Sequence, residues 1–371
     1  MAVSGEVAPL QAASEQNPDG HATIRAPAGD SEIVITTTNR LAGAIDSLSW
    51  GGKEFIDSFD HGRQLQSASN LDEGKTPFHP ETFNPTEAGS RADHTGPTSS
   101  SRLLQFRTGD SWLESTTRMA FWLAPGEKSL GQPARNRTVL SDHLLTRRVQ
   151  IGREGLPHAI TYDVTFTVPE GEHHTIAQFE ALTGYMPPEF SRFLRFLPAT
   201  GSLEPLDDGP GEQSDPVVFS TPDGSHAMGI YSPDQPSTGF EHAGYGRFRF
   251  QAERVVKWNC VFRVRDPEGI EPGDYSYRMF LAVGTLADVR RTLEQLHKDE
   301  GKTAQRFFYR PFGSSSEPGP RSIMIGQNDQ ANSPCTLGVA PWPPNPVPIV
   351  LGRSAGSPSC SRVDPPRPPT P

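Results

Sequence analysis

The sequence predicts an all-β protein, a large two-sheet antiparallel β-sandwich with one C-terminal helix. Three observations point there. Short runs of β-branched and aromatic residues alternate with polar ones, turn signals separate them every few residues, and a single segment has helical spacing. No fixed-length repeat is present, which argues against a propeller or solenoid.

The first strand expected is EIVITTT, Glu32 to Thr38, a β-branched run suited to a pleated sheet. A turn at Asn39 to Gly43 leads into Ala44 to Trp50, where Ile45, Leu48 and Trp50 supply the apolar positions. Gly51-Gly52-Lys53 turns the chain again, and Glu54 to Ile56 restarts it, so the segment reads as a meander. From His61 to Ser101 the chain is polar and rich in Gly, Pro and Ser, and it is expected to be a long loop. Loops of that length inside a domain are uncommon and usually functional or disordered.

Strands resume at Leu103 to Arg107, Leu113 to Leu123, Thr138 to Gly152, His158 to Val168 and His174 to Leu182. Tyr162, Val164, Phe166 and Val168 share one face at a period of two. Leu203 to Asp215 reads as a loop. Further strands follow at Val217 to Ser220, Ala227 to Tyr231, Arg247 to Gln251, Val255 to Val264 and Tyr275 to Val283. Leu286, Val289, Leu293 and Leu296 fall on one helical face, and Gly301 is the expected stop of a helix over Leu286 to His297.

These elements define a domain over residues 24–312, a flexible leader over 1–23, and a disordered Pro-rich tail over 313–371. Residues 314–371 hold 14 of the 37 prolines. Runs such as PWPPNPVP cannot form ladders or helices, because proline lacks the donor and fixes φ. The leader has neither a basic start nor an apolar stretch, so it does not read as a signal peptide. The cytoplasm is the default compartment, with export only if the true start lies upstream.

The formal net charge is −10, and basic and acidic residues are mixed along the chain. Nothing resembles the basic stripe of a nucleic-acid binder, and an acidic protein is repelled by anionic lipid, so neither nucleic acid nor membrane is expected as a partner. No run of 18 apolar residues occurs. Of three cysteines, Cys260 sits in an apolar strand pattern as a buried hydrophobe, while Cys335 and Cys360 lie in the tail.

Chemistry is expected in the polar stretch. Asp57 to Gln66 places acid, imidazole, guanidinium and amide groups within ten residues. His61 and Arg63 would share one face of an extended segment and Gln64 and Gln66 the other, an arrangement suited to hydroxyl recognition. The plainer alternative is a polar sheet edge held by an Asp60–Arg63 or Asp57–Arg63 ion pair. In Asn84 to Gly96, Glu87 could act as general base, His94 as an acid near neutral pH, and Arg91 as a bidentate grip on a uronate carboxylate. The alternative there is a surface loop of small polar residues.

Other histidines are weaker candidates. His143 beside Asp142 reads as a capped strand end, His173-His174 as a solvated pair in a Gly-Glu turn, and His242 as a residue lining one mouth of the sandwich. No histidine, cysteine or acidic spacing matches a standard metal pattern, and no nucleotide-binding or serine-nucleophile motif occurs, so no metal or cofactor is expected.

The run AGAIDSLSWGGKEFIDSFDHGRQLQ resembles the start of the galactose mutarotase-like (aldose epimerase) supersandwich family, with Gly62-Arg63 in the place of the Gly-Arg segment that enters the sugar cleft. The resemblance implies a supersandwich with a sugar ligand, a His general acid and a late Glu base, for which Glu241 and Glu271 are candidates. The chain departs from the family in carrying Gln64-Leu65-Gln66 where an Asn-Arg pair is expected. The combined reading is a carbohydrate-active protein that binds a sugar or uronate on a concave sheet face, with acid/base chemistry of epimerase or lyase type. His61, Glu87 and His94 would be the acid/base groups, and Arg63, Gln64, Arg91 and His242 would bind the ligand. A non-catalytic carbohydrate-binding or structural module is the alternative, with Trp50, Trp112 or Trp122 as stacking platforms.

Overall fold

Alternation of buried and half-buried positions is what turns these segments into strands. The structure is a computed structural model describing residues 18–74, 78–233 and 244–308, with side chains described up to residue 300. In chain order, β1 (Ala22–Ala28) and β2 (Ser31–Thr37) form one hairpin, β3 (Ile45–Trp50) and β4 (Lys53–Glu54) a second, and β5 (Leu65–Leu71) follows. β6 (Pro85–Thr86) is a two-residue bridge, β7 (Arg102–Thr108) pairs with β8 (Trp112–Phe121), and β9 (Lys128–Ser129) with β10 (Gln132–Pro133) makes a small separate hairpin. β11 (Leu140–Arg153) and β12 (Leu156–Val168) are the two longest strands. Then come β13 (Ile176–Met186), β14 (Arg192–Leu197), β15 (Ser202–Pro205), β16 (Gly211–Gln213) and β17 (Val217–Ser220). The last strands are β18 (Ala227–Tyr231), β19 (Gly244–Phe250), β20 (Val255–Arg265) and β21 (Gly273–Gly284), and α1 (Leu286–Phe308) closes the described chain.

The strands form two antiparallel layers. One runs β1–β2–β3–β5–β13–β20–β19–β16. The other runs β7–β8–β11–β12–β21–β18–β17–β14–β15. β6 pairs with both β5 and β8 and so joins the layers. Ile33, Ile35, Leu48, Phe179 and Phe262 of the first layer meet Leu145, Val149, Val164, Phe166 and Met279 of the second in one core. Each such side chain contributes about 1.5–3 kcal/mol by burial. Tyr162, Val164, Phe166 and Val168 share the core face as the period of two requires, and Cys260 is buried there.

The outer face of the second layer is apolar as well. Leu194, Phe196, Val218 and Phe280 pack under Val289, Leu293 and Leu296 of α1. Thr285 and Asp288 cap this helix reciprocally, each side chain accepting from the other's backbone N–H. The helix does not stop at Gly301 but runs to Phe308. One glycine costs a helix only about 1 kcal/mol, which neighbouring turns offset.

Three other expectations are corrected. The polar stretch His61 to Ser101 is not one loop: β5 lies within it, between β3 and β13. It escapes notice because its core face carries Ser67 and Ser69 where aliphatics are usual, and Ser67 Oγ donates to the Ala181 carbonyl at 2.7 Å. Likewise Leu203 to Asp215 contains β15 and β16, and β14 precedes them. His174, read as solvated, is buried, while His173 beside it is exposed. β1 starts at Ala22, two residues before the expected start of the domain at residue 24. Most of the expected leader and all of the tail, from residue 313, lie outside the described residues.

Candidate functional site

Among the described residues no α-helix covers the outer face of the first layer, and that face is polar. On β13, Ala177, Phe179 and Leu182 enter the core, while Gln178, Glu180, Thr183 and Tyr185 face the other way. A β-bulge at Ala181, seen as a register shift between Glu180 and Leu182, brings Thr183 back beside Glu180. On β20, Val256, Trp258, Cys260 and Phe262 are core residues, and Lys257, Asn259 and Arg263 alternate onto the polar face. β5 adds Asn70, and β19 adds Phe248. Gly246 is required on β19, since a Cβ there would sit 2.2 Å from Asn259 Oδ1.

Glu180 and Lys257 form the centre. Lys257 Nζ lies 3.2 Å from Glu180 Oε2, which also accepts from Thr183 Oγ1 at 2.8 Å. The same ammonium stands 5.2 Å from the Tyr185 ring and 5.5 Å from the Phe248 ring, within cation–π range. Their side chains are 16% and 14% exposed, so the pair is reachable from solvent. Glu81, on the segment crossing this face, stands near enough to feel both charges. Its N–H donates to Asn70 Oδ1 at 2.9 Å, and its Oε2 accepts from Ser129 Oγ at 2.5 Å. Its backbone has φ +67°, a strained conformation for a residue with a Cβ.

The environments of the two carboxyl groups push them apart. Burial drives both upward. At Glu81 it wins over the Ser129 hydrogen bond and the more distant Lys257 and Arg91, so the carboxyl titrates above its ordinary range. At Glu180 the Lys257 charge and the hydrogen bonds from Thr183, Lys257 and Asn259 outweigh burial, so it titrates below. The two carboxyl groups are thereby shifted in opposite directions, the kind of split that acid/base chemistry uses.

The residues singled out from sequence are partly brought together. His61 N donates to the His94 carbonyl at 3.0 Å, so the two polar segments do meet. They meet through the backbone of His94, whose side chain is exposed. The His61 ring is buried, with Nδ1 2.7 Å from the His94 carbonyl and Nε2 2.8 Å from the Arg40 carbonyl. Gln64 is fully buried and donates to the Asp60 carbonyl. Arg63 lies 3.4 Å from Asp60 and 3.9 Å from Asp57, the ion-pair arrangement weighed as the plainer alternative.

Glu87 has no exposed surface. Arg147 Nη1 holds it at 2.6 Å and the Ser67 N–H donates to it at 3.0 Å, so in this arrangement it is an internal anchor between the layers. Arg91 pairs with Glu127 at 3.1 Å and borders the Glu81 region. His242 and Glu241 lie outside the described residues. Glu271 is exposed in the turn before β21. The tryptophans offer no open platform: Trp50 packs between His158 and His226, Trp112 under Arg148, and Trp122 is buried against Gly62.

Sequence reading therefore missed Glu81, Glu180, Tyr185 and Lys257. The signal was present for the last three as polar residues at alternate positions in otherwise apolar strands. That pattern equally describes any solvent face, and only strand order makes it a site. The 57–64 segment does flank this face: Asp57 N donates to the Tyr185 carbonyl at 2.9 Å, and Tyr185 N donates to the Gln64 carbonyl at 3.2 Å.

No family model and no curated protein matches this chain. Solved structures resemble it at low identity and low TM-score. A protein in the glycosyl hydrolase family 38 from Enterococcus faecalis is 13% identical, with TM-score 0.43, over 80% of this chain and 34% of its own. The Slr1438 protein from Synechocystis sp. PCC 6803 is 12% identical, with TM-score 0.38, over 74% of this chain and all of its own. A 4-alpha-glucanotransferase from Thermococcus litoralis is 8% identical, with TM-score 0.37, over 72% of this chain and 40% of its own.

Proposed function

We propose that this protein is carbohydrate-active and binds a sugar or uronate on the polar face of β5, β13 and β20, with Glu180 as general base and Glu81 as general acid. The observation that carries the reading is the pair of carboxyl groups shifted in opposite directions around one ammonium, Lys257, on a polar sheet face that stays partly open beside the Glu81 segment. Amide groups of Asn70, Gln178 and Asn259 suit hydroxyl recognition, and the Tyr185 and Phe248 rings suit the apolar face of a pyranose. Proton removal by Glu180 and return from Glu81 would serve either epimerisation or β-elimination from a uronate. Lys257 would hold the developing negative charge as the proton leaves.

The test is binding and turnover with a panel of aldoses, uronates and their oligomers. Ring-opening or epimerisation is read by polarimetry, and elimination by the ultraviolet absorbance of the unsaturated product. Glu180→Gln should abolish turnover and spare binding. Binding without turnover in the native protein would move the reading to the non-catalytic module. Absence of any sugar binding would remove it.

A further inference from the structure

Away from this face, three side chains converge in a way that neither sugar binding nor packing uses. His143 projects from β11, Glu172 stands in the turn after β12, and His174 leads into β13. His143 Nε2 and His174 Nε2 lie 2.7 and 2.8 Å from one and the same oxygen, Glu172 Oε2. The ligating atoms of all three lie within 4.8 Å of one another. Both imidazoles are buried, and Glu172 keeps a quarter of its side chain exposed, which leaves one open side.

The fold builds this convergence deliberately at two points. His143 faces inward because it keeps the period of two with the buried Leu145, Arg147 and Val149 of β11, while the strand breaks register against β8 between Leu140 and Leu144. The backbone carbonyl of His174 accepts from Ile270 N at 2.6 Å, which fixes the turn it sits in. Phe83 lies edge-on to His143 and tilted against His174 and excludes water on that side.

We infer that His143, Glu172 and His174 form a binding site for one divalent transition-metal ion of the zinc class, with a fourth position open to solvent. Two imidazoles and one carboxylate are a sufficient zinc donor set when a fourth position is left for water. A second observation points the same way. His174 Nδ1 is buried and makes no hydrogen bond, and its nearest acid is Asp72 Oδ1, 4.0 Å away. With Nε2 on a metal, Nδ1 must carry the ring proton, and the fully buried Asp72 carboxylate is placed to receive it, the outer partner usual for a metal-bound histidine. Asp72 is itself held by the Thr175 N–H at 2.9 Å and by the Thr175 hydroxyl. Metal at this point would tie β11 to the start of β13 and to the end of β5, independently of any sugar on the polar face.

The experiment is calorimetric titration of the chelator-stripped full chain with zinc chloride, repeated on Glu172→Gln. Calcium and magnesium serve as controls that two imidazoles should disfavour. The native chain should take up one equivalent at a saturable site, with a rise in melting temperature. Glu172→Gln should bind more than about tenfold more weakly, with an unchanged circular dichroism spectrum and no melting shift on adding zinc. Glu172 is the residue to change because its partial exposure makes loss of fold a lesser risk than at either histidine. Cobalt(II) in place of zinc should give a visible absorption band that zinc removes. No saturable one-equivalent binding in the native chain, or the same affinity in Glu172→Gln, would overturn the site.

Discussion

Two carboxylate–cation pairs among the described residues differ in what surrounds them. Glu87–Arg147 lies between the layers with no exposed surface, with the Ser67 N–H on Glu87 and the Gly43 carbonyl and Tyr162 hydroxyl on Arg147. Glu180–Lys257 lies on an outer face, open at one side, with a hydroxyl and two aromatic rings around it. Burial pushes Glu87 up in spite of Arg147, whereas at Glu180 the hydrogen bonds and the ammonium prevail. The sealed pair can only hold the layers in register. The open pair can exchange a proton with a ligand. Acidic residues in polar sequence are thus a poor guide to chemistry until their access is known.

Substitutions at the two pairs should separate along that line. The largest effect on turnover is expected at Glu180→Gln, a loss on the order of 10²–10⁴ in kcat, with a smaller loss of stability than at the sealed pair. The largest effect on stability is expected at Glu87→Gln, about 3–5 kcal/mol from leaving Arg147 buried without its counter-charge, with turnover per folded molecule retained. Denaturant titration checks it. Replacing both partners by Leu and Met should recover most of that loss, because an apolar pair of similar volume has no charge to desolvate.

The pH profile sharpens the comparison further. Glu180 must be ionised and is shifted down, so activity should rise through a value below the ordinary 4.5 of a glutamate. Glu81 must be protonated and is shifted up, so activity should fall through a value above 4.5. Glu81→Gln should abolish the falling limb and lower kcat. The same shift bears on folding. A depressed carboxyl stabilises the folded state above its unfolded value, and that contribution is lost as pH falls through the folded one. Glu180→Gln should therefore flatten the acid side of the stability curve. The smallest effect is expected at Ser129→Ala, which removes one hydrogen bond to the ionised form of Glu81. At about 0.5–1.5 kcal/mol the falling limb should move up by roughly one unit or less.

The architecture was largely legible. β-branched alternation in EIVITTT and YDVTFTV, and the helical spacing of Leu286, Val289, Leu293 and Leu296, follow from side-chain geometry alone. β5 was not legible, since serines on a core face look like loop residues until their hydrogen-bond partners are known. The helix end was hidden by a glycine that did not break it. For the site, the segments around His61 and His94 touch through the His94 backbone, while their side chains face protein or solvent. Glu180 and Lys257 lie more than seventy residues apart and meet because β13 pairs with β20, a long-range register that no local pattern encodes.

A crystal structure of the protein soaked with a sugar that it binds in solution tests the central claim most directly. The account predicts density for one ring between Glu81, Glu180 and Lys257, its apolar side toward Tyr185 or Phe248. Density at the Asp57 to Arg63 segment with the β13–β20 face empty would contradict it.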